Sequence, residues 1–312
     1  MMGLKNTTLC ICSLVGLIGV RAFADDSFDL GPMPEFPTPS YLMADEPATP
    51  PAAPPPAPGR LRSFELPPVN VVGHTPSDLR EEDRVGSYGQ PRWTATRRFP
   101  NTRVYVVPEG KIEGELWFIP RFLHSGETNG RYLAELEYGL PNRFQVDVYY
   151  RLDIDESGKG QNGAQFEVRW ALADWGKILF NPTIYVEYIA HEFDPDGVEF
   201  KLLLGDELAP RWHWGVNFVG EFETGGHREY TYEIDGGISY TIVDEKFSAG
   251  AETKIEFISE HGDRSNYETS ILVGPSVQWR PVPRLSVNLA PLFGVTPDSA
   301  TARVYLNIGW EF

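Results

Sequence analysis

Carboxylates recur at alternate positions through much of the chain: Glu135, Glu137, Asp147, Asp153, Glu167, Glu187, Glu199, Glu221, Glu233, Asp235, Glu252 and Glu256. Fewer cations share that parity, among them Arg131, Arg151, Arg169, Lys201, Lys254, Arg280 and Arg303. Residues two apart in an extended strand point to the same side. These groups therefore read as one polar wall with an excess of negative charge. Facing water, such a wall gathers cations and repels anions, which is how charged rings confer selectivity. The opposing arrangement is a space closed by salt bridges, with Arg151 against Glu167 and Asp147 against Arg169, because a small closed sheet encloses little room.

Other chemistries find less support. The histidines His74, His191, His213, His227 and His261 lack metal-ligand spacing. Gly225-Gly226 and Gly236-Gly237 are not followed by a helix start, so they are not phosphate loops. No metal and no cofactor is expected. The formal charge of −17, from 44 acidic residues against 27 Lys and Arg, excludes nucleic acid as an electrostatic partner.

The elements that must position this wall are strands. From Gly114 onward the text alternates apolar and polar with period two, most cleanly in Phe144 to Ile154. The pattern returns in Tyr132 to Leu140, Ala164 to Leu172, Val198 to Leu204, Trp212 to Phe222, Tyr232 to Ile242, Phe247 to Phe257, Thr269 to Trp279, Leu285 to Val295 and Ala302 to Phe312. It is less clean in Leu116 to Leu123 and Thr183 to Ala190. That makes twelve strands. Their connectors alternate between tight turns, such as Pro141-Asn142 and Val243 to Lys246, and Gly-rich polar loops, such as Asp155 to Asn162. A sheet in a bilayer must close on itself to satisfy its backbone, with short turns on one rim and loops on the other. The expected fold is all-β: a transmembrane antiparallel barrel of about twelve strands over 112–312, its Trp and Tyr near strand ends forming interfacial girdles.

The N-terminus reads as a secretory signal over 1–24, with Lys5, the apolar run Leu9 to Val20 and the small-x-small site Ala22-Phe23-Ala24. Its removal takes both cysteines, Cys10 and Cys12, and leaves a charge of −19. The exported chain then has no thiol for a disulfide or a metal site. Residues 25–68 are Pro-rich and form a disordered periplasmic linker in this reading, a spacer or a tether to peptidoglycan or a periplasmic protein. Residues 69–111 hold an apolar stretch from Val69 to Val72, a helix-capable piece from Ser77 to Asp83, and a basic run, Arg92, Arg97, Arg98 and Arg103. Placed just before the first strand, those four arginines are candidates for a plug that folds into the acidic lumen.

The last strand presents Val304, Leu306, Ile308, Trp310 and Phe312 on one face. It resembles the signal by which the outer-membrane barrel assembly machinery recognises its substrates, which implies that machinery and outer-membrane lipid as partners. The run Glu135-Leu136-Glu137-Tyr138-Gly139-Leu140-Pro141-Asn142-Arg143 resembles a hairpin of the barrel proteins named for the meta-pathway of phenol degradation, which implies a porin-like barrel. Leu66 to Gly73 resembles the box by which active transporters engage an energy-coupling protein. Outer-membrane phospholipase A is also a twelve-stranded barrel, with a Ser and a His two apart on its outer face. Here His124 and Ser125 are adjacent, so in a strand they point to opposite faces. The expectation is a non-enzymatic, passive and mildly cation-selective channel for a small solute. A lipid hydrolase and a non-conducting structural or adhesion barrel are the alternatives.

Overall fold

The computed structural model describes residues 80–226, 228–259 and 267–312. The signal and linker expected over 1–68, the run Leu66 to Gly73, and His74, His227 and His261 lie outside the described residues. A two-residue ladder comes first, β1 (Arg84–Val85) with β2 (Gln90–Pro91). Twelve long strands follow: β3 (Ile112–Phe122), β4 (Thr128–Gly139), β5 (Phe144–Ile154), β6 (Gly160–Ala171), β7 (Thr183–His191), β8 (Gly197–Ala209), β9 (Trp212–Glu223), β10 (Tyr230–Val243), β11 (Phe247–Ser259), β12 (Glu268–Val282), β13 (Leu285–Gly294) and β14 (Ala302–Glu311). Each pairs antiparallel with its neighbours in sequence, and β14 pairs with β3, so the sheet closes into a barrel.

Closure removes both sheet edges, and period-two alternation fixes which side each residue faces. Leu116, Leu136, Val148, Phe166, Phe200 and Phe218 stand on the outside, while the acidic and amide residues between them are buried inside. A one-residue slip of β5 would put Gln145 and Asp147 into that apolar belt, so the register is strongly specified. Most strands extend beyond the expected limits, while β5 matches them and β13 and β14 stop one residue short. β3 begins at Ile112 rather than Leu116, which brings Glu113 and Glu115 onto the inner face. In β14, Tyr305 and Asn307 point inward, while Trp310 and Phe312 are exposed outside. The Phe312 amide donates to the Ile112 carbonyl at 3.0 Å, continuing the seam beyond the last paired residues.

The tight connectors behave as their residues require. The turn Pro141–Arg143 places Asn142 at φ 60°, a left-handed conformation that asparagine tolerates better than most residues. The β6–β7 connector on the same rim is longer, spanning 172–182, because it folds over the segment that precedes the barrel. Its Trp175 packs edge-on against Trp93 at 5.7 Å and Tyr105 at 5.2 Å.

That preceding segment, 80–111, lies inside the barrel at the short-turn end. Trp93, Phe99, Tyr105 and Val106 are almost wholly buried there, forming a small core with Tyr88, Val104 and Trp175. Two expectations change as a result. The described part of the helix-capable piece, 80–83, is a turn closed by Asp83, whose amide donates to the Arg80 carbonyl and whose carboxylate accepts from the Arg80 amide. The tryptophans do not all belong to a girdle: Trp93, Trp117 and Trp175 are buried, while Trp170, Trp212, Trp279 and Trp310 are exposed outside, all near the short-turn ends of their strands.

Candidate channel lumen

The inner wall and the inserted segment meet through charge. Arg97 donates from Nε to Glu115 at 2.8 Å and from Nη2 to Glu137 at 3.3 Å, lies 3.6 Å from Glu135, and stacks over Trp117 with 4.3 Å to the ring centre. Arg103 pairs with Glu137. Arg98 points to the other side, donating to Ser239 at 3.0 Å, to Gln278 at 3.1 Å, to Thr241, and to His213 Nδ1 at 2.9 Å. Because a guanidinium can only donate, His213 must present an unprotonated Nδ1 there. Arg92 stays at the rim, paired with Glu245 at 2.7 Å. At the apex of the segment, Asn101 donates from its backbone to Glu252 at 2.8 Å and from its side chain to Asp235 at 2.9 Å.

Glu81 anchors the start of the segment at the short-turn rim. It accepts from the Glu245 amide at 3.0 Å, while its own amide donates to Asp244 at 3.2 Å. Burial acts to raise its pKa, but the charges of Arg280, Arg98 and Arg92 and the Glu245 amide outweigh that and hold the carboxyl below its ordinary range.

The remaining inner carboxylates have separate partners. Asp147 and Glu167 share Arg169, with 3.1 Å to Asp147, and Tyr149 donates to Glu167 at 2.6 Å. Arg151 does not reach Glu167 as its position suggested; it turns along its own strand to Asp153 at 2.5 Å, leaving Glu167 to Arg169. Glu187 accepts from Tyr185, Glu199 pairs with Lys201 at 2.7 Å, and Glu233 pairs with Lys254. Glu221 makes no hydrogen bond or ion pair among the described residues, although it interacts electrostatically with Arg131 and Arg151. The His124 and Ser125 pair is not assembled for catalysis: His124 Nδ1 meets the Thr301 hydroxyl at 2.8 Å, while Ser125 donates to Glu127 at 2.9 Å.

Above the apex the lumen opens into a vestibule of about 810 Å³, lined from Arg97, Asn101 and Arg103 at its floor to Asp155, Asp194 and Glu223 at the long-loop rim. Below, between Trp93, Arg98 and Val104, the space is about 10 Å³, room for a single water.

Several contributors are not apparent in the sequence expectations. Glu113 and Glu115 continue the alternation backwards from Leu116, so reading one turn of pattern further would have found them. Gln278 and Asn101 carry no charge to draw attention, and only their contacts identify them. The fit also relies on a missing side chain. A Cβ on Gly237 would sit 2.7 Å from the Phe99 ring, closer than carbon atoms approach. Gly237→Ala should therefore push the apex out of place and speed proteolysis of residues 80–105, with the barrel's heat-modifiable gel mobility retained; unchanged proteolysis would show that Phe99 yields freely.

No family model and no curated protein matches the chain. Among solved structures it is similar to the COG4313 outer membrane channel from Pseudomonas putida F1, with 10% identity over 67% of this chain and 98% of that one and a TM-score of 0.50. Two other similar structures are the KdgM porin, with 11% identity over 64% of this chain and 99% of that one and a TM-score of 0.47, and the NanC porin, with 13% identity over 64% and 98% and a TM-score of 0.45. At this level of identity the likeness to the COG4313 channel establishes a shared barrel fold.

Proposed function

We propose that this chain is a bacterial outer-membrane channel through which small solutes diffuse passively, and that residues 80–111 are a plug whose displacement governs conduction. The observation that carries this reading is a closed barrel with an apolar outside, a charged inside, and a vestibule of about 810 Å³ opening at one rim. Water would not tolerate so continuous an apolar belt, whereas hydrocarbon would. Residues 1–24 then serve export, 25–68 act as a linker that can engage peptidoglycan or a periplasmic protein, and the short-turn rim of the barrel faces the periplasm. The strand ending in Phe312 serves recognition by the assembly machinery, and the Glu135 to Arg143 hairpin supports kinship with the phenol meta-pathway barrel proteins.

Mild cation selectivity follows from the excess of carboxylates on the inner wall. In planar bilayers under a potassium chloride gradient, the reversal potential should fall on the cation-selective side. Equal permeation of potassium and chloride would remove the selectivity, and silent membranes from both the intact and the plug-deleted chain would remove the channel.

A further inference from the structure

Most of the vestibule's charges are paired with a neighbour: Asp153 takes Arg131 and Arg151, Glu256 takes Arg303, Lys201 takes Glu199 and Lys254 takes Glu233. On neighbouring strands, Arg303 (β14) and Arg121 (β3) are direct partners across the sheet, and Arg131 (β4) and Arg151 (β5) come next. On the far side of the ring stand Glu199 (β8), Glu221 (β9) and Glu233 (β10). All seven lie within three residues of the long-loop ends of their strands, so they share a level.

Several of these groups have bonding capacity left over. Arg121 makes no hydrogen bond or ion pair among the described residues, and its Nε is buried without a partner. Arg151 is 5% exposed, and its Nη1 is likewise buried and unpartnered while Nε holds Asp153. Across the lumen Glu221 is also without a partner, within the electrostatic reach of Arg131 and Arg151. Buried donors left unmatched are costly, and a solute that meets them recovers that cost.

We propose that the vestibule binds a small zwitterionic solute, with its carboxylate on Arg121 beside Arg303 and its ammonium on Glu221. This rests on the reading of the barrel as a solute channel and adds the class of solute. A plain anion would satisfy Arg121 but leave Glu221 without a partner, and a plain cation would satisfy Glu221 but leave Arg121 without one. A zwitterion meets both, and the two opposite unpaired charges align it. A carboxylate on a guanidinium and an ammonium on a carboxylate are both charge-assisted hydrogen bonds, so each end adds affinity and fixes orientation.

The test is calorimetric titration of the full chain in lipid nanodiscs, corrected for empty discs, with 4-aminobutanoate and 6-aminohexanoate as zwitterions and butanoate and butylammonium as singly charged controls. Saturable binding of at least one zwitterion is expected, with neither control matching it. Arg121→Gln and Glu221→Gln should each weaken it by roughly tenfold. The paired exchange of Arg121→Glu with Glu221→Arg should recover binding, with the dipole reversed. Heat-modifiable gel mobility shows that each variant has kept the barrel, and Glu199→Gln offers a second probe of the acidic wall should Glu221→Gln not assemble.

Butanoate binding as tightly as the zwitterions would make this an anion site, and equal binding of butylammonium a cation site. No saturable binding of either zwitterion, or binding indifferent to Arg121→Gln and Glu221→Gln, would overturn the proposal. The titration does not depend on conduction. A chain that binds zwitterions but passes no current contradicts the channel alone, and one that conducts without binding them contradicts this inference alone.

Discussion

Replacing Arg97 with methionine should loosen the plug and leave the channel open for most of a recording. Methionine keeps much of the length and apolar stem of arginine but removes the charge that Glu115, Glu135 and Glu137 converge on. Those three side chains have no exposure to solvent. Arg103 remains on Glu137, yet it does not pair with Glu115 or Glu135. Breaking a buried ion pair by removing one partner costs about 3–5 kcal/mol, which is roughly 10² to 10⁴-fold in an equilibrium.

The barrel itself need not bear that cost. Its interstrand ladder does not involve Arg97, and water can relieve the carboxylates once the segment leaves. The effect should therefore appear as plug release: faster proteolysis of residues 80–105 in proteoliposomes and sustained current in bilayers. Adding Glu115→Gln to Arg97→Met removes one of the stranded charges and should restore part of the plugged population. Proteolysis and current both indistinguishable from the unsubstituted chain would show that the arginine cluster does not hold the segment.

The barrel was legible from the sequence because its constraint is local and repeated. Every strand of a closed sheet must alternate, so Phe144 to Ile154 announces its own two faces without knowledge of its neighbours. Irregularity arose where the inserted segment replaces water. On β3 the inner face carries Trp117 and Ile119 as well as Glu113, Glu115 and Arg121, because part of it contacts the segment or other inner side chains rather than open solvent. That mixture blurs the alternation in Leu116 to Leu123, one of the two stretches that read less cleanly. The spacing of the hairpin was visible but its reason was not. Glu137 receives Arg97 and Arg103, a Cβ on Gly139 would meet the Pro108 carbonyl at 2.1 Å, and the Leu140 carbonyl accepts from Tyr88 at 2.7 Å. The hairpin is a dock for the segment, which requires knowing what lies across the lumen.

Charge counting also had a limit of its own. Summed over the inner wall, it describes an acidic lumen, and the basic run before β3 complements it. The sum hides which charges are left over: Asp153, Glu256, Lys201 and Lys254 pair off Arg131, Arg151, Arg303, Glu199 and Glu233, while Arg121 and Glu221 keep no hydrogen bond or ion pair among the described residues. Only closure of β14 onto β3 brings Arg303 beside Arg121, and the chain separates those two residues almost as far as the barrel sequence allows.

Deletion of residues 25–103, with the leader joined directly to the remainder, should produce the largest change in conduction and should also move its selectivity. β3 begins at Ile112, so the twelve-strand ladder and its β14–β3 seam remain complete. What disappears is the small core of Trp93 and Phe99, the apex at Asn101, and the four arginines Arg92, Arg97, Arg98 and Arg103. The wall that receives Arg97, Arg103 and Asn101 is acidic at Glu115, Glu135, Glu137, Asp235 and Glu252, and water would replace the segment against it. Conductance should therefore rise, and the reversal potential under a salt gradient should move further toward the potassium equilibrium value than in the intact chain. The two readouts separate the causes: a wider opening alone raises current without sharpening selectivity, whereas loss of counter-charge sharpens it. Unchanged conductance would mean that residues 80–103 do not obstruct the path, and a shift toward chloride would mean that the plug's arginines do not offset the wall.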